Sequence, residues 1–164
     1  MAQNDFAAQT PTRLAALLAE ETATLRAALG HLHAERSALI AGEADSLAVL
    51  AQHKSEAYAR LSQLGDARTM LLAHAGATPA RSDIDALFGS SPDWDVCRGP
   101  FTDLLALARE AHDLNQANGL LIRSQMKSSQ QALAVLMSAA EQASTYGPDG
   151  LAAARTSRRS LGSA

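Results

Sequence analysis

Leucines recur at intervals of three, four and seven along the first 75 residues, and this spacing constrains the fold more than any other feature of the chain. Such steps place side chains on one face of an α-helix. Gly42 interrupts the pattern, and Gly76 and Pro79 end it, because glycine favours the position just past a helix end and proline stops a helix. The sequence therefore predicts helices over 11–41 and 46–75 that fold back on each other as an antiparallel hairpin.

The predicted start of the first helix rests on two adjacent residues. Thr10 is a favoured N-cap, and Pro11 suits the first helical position, where its missing N–H costs nothing. Residues 1–9 are accordingly expected to be frayed.

Residues 76–100 are rich in glycine and proline and are predicted to form a connector. One short helix is expected from Ser82 to Phe88, with Ser82 and Asp85 as its capping box. Trp94 is expected to anchor the connector against the bundle, because a large aromatic side chain contributes most when it is buried.

A third helix is predicted over 101–146, where alternating steps of three and four define a heptad seam. The seam consists of Leu104, Leu107, Ala111, Leu114, Asn118, Leu121, Gln125, Ser128, Ala132, Val135 and Ala139. Residues 151–164 hold arginines and no acidic residue, and we expect a flexible basic tail. The predicted fold is all-α: an elongated antiparallel bundle, or coiled-coil hairpin, of three long helices in one domain over 1–150.

Composition narrows the class of protein. Aromatic residues make up only 4% of the chain, which favours a thin bundle of leucine and alanine over a thick globular core. The net charge of −3 argues against a nucleic-acid binder. The single cysteine, Cys97, excludes an internal disulfide framework and favours a reducing compartment. With no signal-like start and no long apolar stretch, we expect a cytoplasmic protein without membrane insertion.

Catalytic and metal-binding patterns are missing from the sequence. A di-iron bundle needs Glu-x-x-His, and no such motif occurs among the five histidines. A phosphotransfer module has a characteristic basic and small residue after its histidine. His53 is followed by Lys54-Ser55-Glu56 and His112 by Asp113-Leu114-Asn115, and neither run gives that family's pattern clearly. There is no phosphate loop and no metal-spaced set of cysteine and histidine. We therefore expect no enzyme activity, no cofactor and no metal, with phosphotransfer on His53 or His112 as an alternative.

The middle of the predicted third helix is polar where a seam should be apolar. Asn115 and Asn118 share a helix face, and Gly119 beside them allows close approach of another backbone. A buried asparagine in a coiled coil fixes register at a cost in stability. Two interpretations stay open: a register device inside the chain's own bundle, which the residues alone favour, or a recognition point for a partner helix on the uncovered apolar stripes.

Three segments in this order resemble the FlgN family of flagellar export chaperones: Leu114 to Gly119, Gln130 to Leu133, and Tyr146 to Gly150. The resemblance covers roughly residues 103–150. It implies a long antiparallel helical bundle. It also implies a cytoplasmic chaperone of type III flagellar export, which binds the C-terminal region of hook-associated (hook–filament junction) proteins of the FlgK/FlgL type, prevents their premature assembly and delivers them to the export gate.

The resemblance also implies two kinds of site. Tyr146, in the Tyr-Gly-x-Asp-Gly motif, is expected to dock on the cytoplasmic domain of the export gate FlhA. The client-binding residues are expected to be Asn115, Asn118, Gly119, Leu121 and Ile122. The free protein is expected to be a monomer or a weak dimer. The alternative function is a self-associating coiled-coil scaffold or adaptor protein without an export role.

Overall fold

The computed structural model describes the backbone of residues 2–145 and the side chains of residues 9–142. Its elements are α1 (Ala2–Ala41), α2 (Ala44–His74), α3 (Arg81–Ser90), a 3₁₀ turn (Pro92–Trp94) and α4 (Asp95–Thr145). No strand occurs within residues 2–145, which confirms the predicted all-α class. The chain divides into two units between Leu121 and Ile122, and the first unit is described here.

The start of α1 differs from the prediction. The helix begins at Ala2, so Thr10 is not its N-cap and Pro11 lies inside the helix. Thr10 and Pro11 are both buried. An N-cap contributes only about 1 kcal/mol and an interior proline costs about 3 kcal/mol. Local preferences of this size are overridden when the side chains concerned pack in the core.

Helices α1 and α2 are joined by three ion pairs, two of which involve buried acids of α1. Near the turn, Lys54 Nζ lies 2.7 Å from Glu35 Oε1. Farther away, Arg68 Nη1 lies 3.0 Å from both oxygens of Glu21, and Arg60 pairs with Glu20. Residues late in α1 thus pair with residues early in α2, so the two helices run antiparallel. Gly42 makes the turn between them with φ of +73°.

The core of the first unit is a leucine-rich stripe of α1 packed against parts of α2, α3 and α4. The buried α1 positions repeat every seven residues at Leu18, Leu25, Leu32 and Leu39. On α4 the predicted seam is buried at Leu104, Ala111, Leu114 and Asn118. A repeat of seven keeps one face of each helix against its partner, which is coiled-coil packing.

The connector holds the beginning of α4 through an aromatic cluster. Trp94 is buried, and its ring centroid lies 6.3 Å from that of Phe88. Phe88 in turn meets Phe101 edge-on at 5.7 Å. Offset and edge-on contacts are the favoured geometries of aromatic pairs. The predicted role of Trp94 as an anchor is confirmed.

Helix α4 begins at Asp95 rather than at residue 101. Just upstream, Ser91 Oγ accepts a hydrogen bond from the Asp93 N–H at 3.3 Å and caps the 3₁₀ turn, which leads directly into α4. Pro100 is instead inside the early turns of the helix. The predicted start at residue 101 is therefore six residues too late.

The short helix α3 confirms the predicted helix of the connector, but its cap is different. Ala80 occupies the N-cap position, and no side chain makes a capping hydrogen bond there. Asp85 forms an ion pair with Arg81 at 2.8 Å instead of a capping box with Ser82. Asp83 accepts hydrogen bonds from the Thr78 hydroxyl at 2.5 Å and the Thr78 N–H at 3.4 Å. These bonds lower the pKa of the Asp83 carboxyl.

Replacing Asp83→Asn should lower stability most near neutral pH. The folded pKa of Asp83 lies below the unfolded value of about 3.9, so ionised Asp83 stabilises the fold above that pH. The contribution is lost as pH falls through the folded pKa. Thermal unfolding should therefore show a difference between wild type and the variant at about pH 7 that shrinks towards about pH 3. An equal difference at both pH values would contradict this role, and Asp85→Asn is the control in the same helix.

Cys97 should be inert towards thiol reagents while the first unit is folded. Its side chain is fully buried, Sγ donates a hydrogen bond to the Pro11 carbonyl at 3.3 Å, and burial raises the pKa of the thiol to about 11. A thiolate is the reactive form. Labelling with a disulfide reagent at about pH 8 should be at least about 100-fold slower than for the urea-unfolded chain. Equal rates would show that α4 does not pack on α1 as described.

Candidate partner-binding surface

The second unit exposes large apolar side chains at high density. Between Ile122 and Gln142 every described side chain of α4 is exposed. Six of them are large and apolar: Ile122, Met126, Leu133, Val135, Leu136 and Met137. A helix normally buries such residues, and contiguous exposed apolar surface on a protein marks a site of interaction.

Five of these six side chains lie on one face of the helix. At 3.6 residues per turn, Ile122, Met126, Leu133, Leu136 and Met137 fall within an arc of about 100°, and they extend over about 22 Å of helix. This face is called the apolar stripe below. Val135 lies on the other side, where it lines a shallow depression of about 400 Å³ with Ala134, Ser138, Ala139 and Gln142.

The apolar stripe does not coincide with the predicted seam beyond Leu121. The seam continues through Gln125, Ser128, Ala132, Val135 and Ala139, and all of these are exposed. Alternating steps of three and four residues can be traced through small and polar side chains on any face of a helix, so the spacing alone does not identify the apolar face. The larger side chains of Met126, Leu133 and Leu136 define the face that gains most from burial, because the gain scales with apolar area.

Few charges surround the apolar stripe. Between residues 122 and 142 the sequence has two basic residues, Arg123 and Lys127, and one acidic residue, Glu141. The other polar residues are serines and glutamines. Desolvating charged groups is the most costly part of burying a surface, and a partner that covers the apolar stripe would desolvate few of them.

The predicted client-binding residues occupy different environments. In the first unit, Asn115 is exposed, Gly119 and Leu121 are half-buried, and Asn118 is 1% exposed. Ile122 is exposed and belongs to the second unit. Gly119 lies inside α4, which the structure describes as one helix. The predicted gate-docking residue, Tyr146, and the predicted tail over 151–164 lie outside the described residues.

Asn118 is held by a polar network inside the first unit. Its amide Nδ2 donates to the Leu32 carbonyl at 2.8 Å and to Glu35 Oε2 at 2.9 Å. The other oxygen of Glu35 accepts from Lys54 Nζ at 2.7 Å. Hydrogen bonds to a charged group are about twice as strong as neutral ones. The network therefore ties α1, α2 and α4 together at one level of the first unit.

Sequence reasoning missed the acidic half of this network. Glu35 lies in the heptad phase of Leu14, Glu21 and Ala28, and all four are buried. An acid at a core position of an otherwise apolar stripe is a signal that a partner must be present. Glu21 shows the cost of burying such an acid. Desolvation raises the pKa of its carboxyl, and the positive charge of Arg68 offsets only part of this increase.

The histidines form no metal centre in the part of the chain that is described. Among these residues no group of three or more His, Cys, Asp or Glu could hold a metal ion. His31 and His53 lie with ring centroids 5.2 Å apart, and His112 shares a hydrogen bond with Gln116.

Within residues 2–145 no helix has the length and hydropathy needed to cross a bilayer.

Comparison with known families identifies the chain. The family model described as "FlgN protein" matches residues 8–154, which is most of the sequence. The chain therefore belongs to the FlgN family, and its general role is that of a flagellar export chaperone. This is a family of chaperones and not of enzymes. Neither the curated proteins nor the solved structures contain a match.

Proposed function

We propose that this chaperone acts in the cytoplasm and binds the C-terminal region of hook-associated junction proteins of the FlgK/FlgL type. Binding would prevent their premature assembly before delivery to the cytoplasmic domain of the export gate FlhA. The observation that carries the proposal is the apolar stripe of the second unit, which offers a long surface for an amphipathic client segment. Membership of the FlgN family supports the choice of client.

The shape and chemistry of the apolar stripe fit a helical client. A partner helix of about 15 residues would cover its length of about 22 Å. Met126 and Met137 add adaptability, because the unbranched thioether fills irregular gaps between packed helices. A surface of this kind can accept related clients that differ in detail.

The proposed client-binding residues include those predicted from the sequence. Ile122 begins the apolar stripe of the second unit. Asn115, Gly119 and Leu121 are proposed as further client contacts in the first unit, where they keep some exposure. Asn118 has its amide hydrogens engaged by Leu32 and Glu35, so its proposed contribution to client binding is to hold α4 in place.

Placing charge on the apolar stripe should weaken client binding without unfolding the protein. Leu133 and Leu136 are 58% and 66% exposed, so Leu133→Asp with Leu136→Asp removes little packing. The double variant should bind a purified junction protein at least about tenfold more weakly, because two carboxylates would be desolvated in the complex. Isothermal titration calorimetry measures the affinity, and circular dichroism checks the helix content.

The matched control places two carboxylates on the opposite side of the same helix. Ser124 and Gln131 are both exposed and lie about 180° from the apolar stripe. Ser124→Asp with Gln131→Asp should leave the affinity within about twofold of wild type. An equal loss in both double variants would contradict the assignment of the client to the apolar stripe.

The proposed gate contact makes a separate prediction. Tyr146→Ala should leave client affinity unchanged and weaken binding of the chaperone to the FlhA cytoplasmic domain by at least about tenfold, as expected for an aromatic anchor. The chain has one other tyrosine, the exposed Tyr58 of α2, and Tyr58→Ala is the control that should bind the gate normally. Unchanged gate affinity in Tyr146→Ala would remove this residue from the site.

A further inference from the structure

Two side chains of α4 reach the backbone of α1 at the same separation in sequence. Cys97 Sγ donates to the Pro11 carbonyl at 3.3 Å, and Asn118 Nδ2 donates to the Leu32 carbonyl at 2.8 Å. Both pairs are 86 residues apart. The part of α4 in the first unit therefore runs parallel to α1 and keeps one register over the three heptads between Cys97 and Asn118.

The apolar layers between these two contacts do not by themselves define that pairing. On α1 the layers are leucines at Leu18, Leu25 and Leu32, and on α4 they include Leu104 and Ala111. Identical leucines every seven residues accept any helix with the same repeat, including the corresponding helix of a second copy. A sequence with only such layers is underspecified, and additional polar contacts are needed to choose one partner.

The two ends of the pairing are held by different means. At the beginning of α4, Phe88, Trp94 and Phe101 fix the helix by their size and shape. At the level of Asn118, the fixed contacts are instead the hydrogen bonds from its amide to Leu32 and Glu35, with Lys54 on the other oxygen of Glu35. A helix that offers an apolar side chain at this level would leave the buried Glu35 short of a donor.

Asn118 also carries a cost that a purely stabilising residue would not have. Among the described residues no donor reaches its Oδ1, although the side chain is 1% exposed. A buried acceptor without a hydrogen bond is unfavourable. Leucine at the same position would remove that unsatisfied atom, but it would also remove the hydrogen bonds to the Leu32 carbonyl and to Glu35. A buried asparagine of this kind distinguishes one neighbouring helix from another at a cost in stability.

We propose that Asn118, through Glu35 and Lys54, makes the chain's own α4 the helix that lies along α1 and excludes the equivalent leucine-faced helix of another copy. Asn118 is a positioning residue in this role. The proposal concerns the assembly of the first unit and does not depend on the identity of the client.

The test replaces Asn118→Leu in the full-length chain and follows its sedimentation over a wide concentration range. The variant should show an additional, larger species whose fraction rises with concentration, under conditions where wild type gives one distribution. Its helix content should match wild type. Leu114→Ala is the control, because it removes a buried side chain of the same helix that makes no polar contact with α1, and it should lose stability without gaining the larger species.

A second variant keeps the test decisive if Asn118→Leu alone does not fold. Glu35→Met, Lys54→Met and Asn118→Leu together replace the entire network by apolar side chains, which commonly preserves or raises stability. This triple variant should fold and show the larger species. The proposal is overturned if the folded variant, single or triple, sediments as wild type does, since Asn118 would then act only through stability.

Discussion

Burial of one face of α1 is the interaction on which the first unit depends. Leucines at every seventh position meet α2 on one side and the early part of α4 on the other, and the aromatic side chains of α3 and the 3₁₀ turn close one end. Six of the ten buried leucines among the described residues lie on α1. The remaining features of this unit, including its ion pairs and its polar network, are arranged around the buried face of α1.

Two acidic residues in the buried face of α1 show how charge is accommodated in a thin bundle. Glu21 and Glu35 are buried at core positions, and each receives a basic partner from α2. Ion pairs of this kind contribute little net stability, because desolvation offsets the attraction. They do distinguish one neighbouring helix from another. The same leucine repeat that makes long helices easy to form makes them easy to mispair, and polar core residues correct this.

The fold could be predicted from the sequence largely because a helical repeat is a local signal. The heptad spacing gave the helices and the buried part of the α4 seam, and Trp94 was recognisable as an anchor from its surroundings of glycine and proline. Two helix starts were predicted at the wrong residues, because Thr10 and Pro100 lie inside helices that extend beyond the local signals. The partners of Asn118 could not be predicted, because they depend on which carbonyl and which acid a distant helix brings to it.

The candidate site was harder to predict for a related reason. The spacing of apolar residues shows that a helix has a face to bury, but it does not show whether the chain itself covers that face. Leu104 and Leu133 both lie in heptad-like patterns of α4, and one is buried while the other is exposed. Only the three-dimensional structure separates the residues that complete the core from those left available to a partner.

Trp94 has a further consequence for how this protein can be observed. It is the single tryptophan of the chain, and it is enclosed in the aromatic cluster of the first unit. Tryptophan fluorescence will thus register melting or loosening of that cluster, while residues 122–145 contain no tryptophan to report on events confined to them. A dye attached beyond Leu121 would give each unit its own spectroscopic signal.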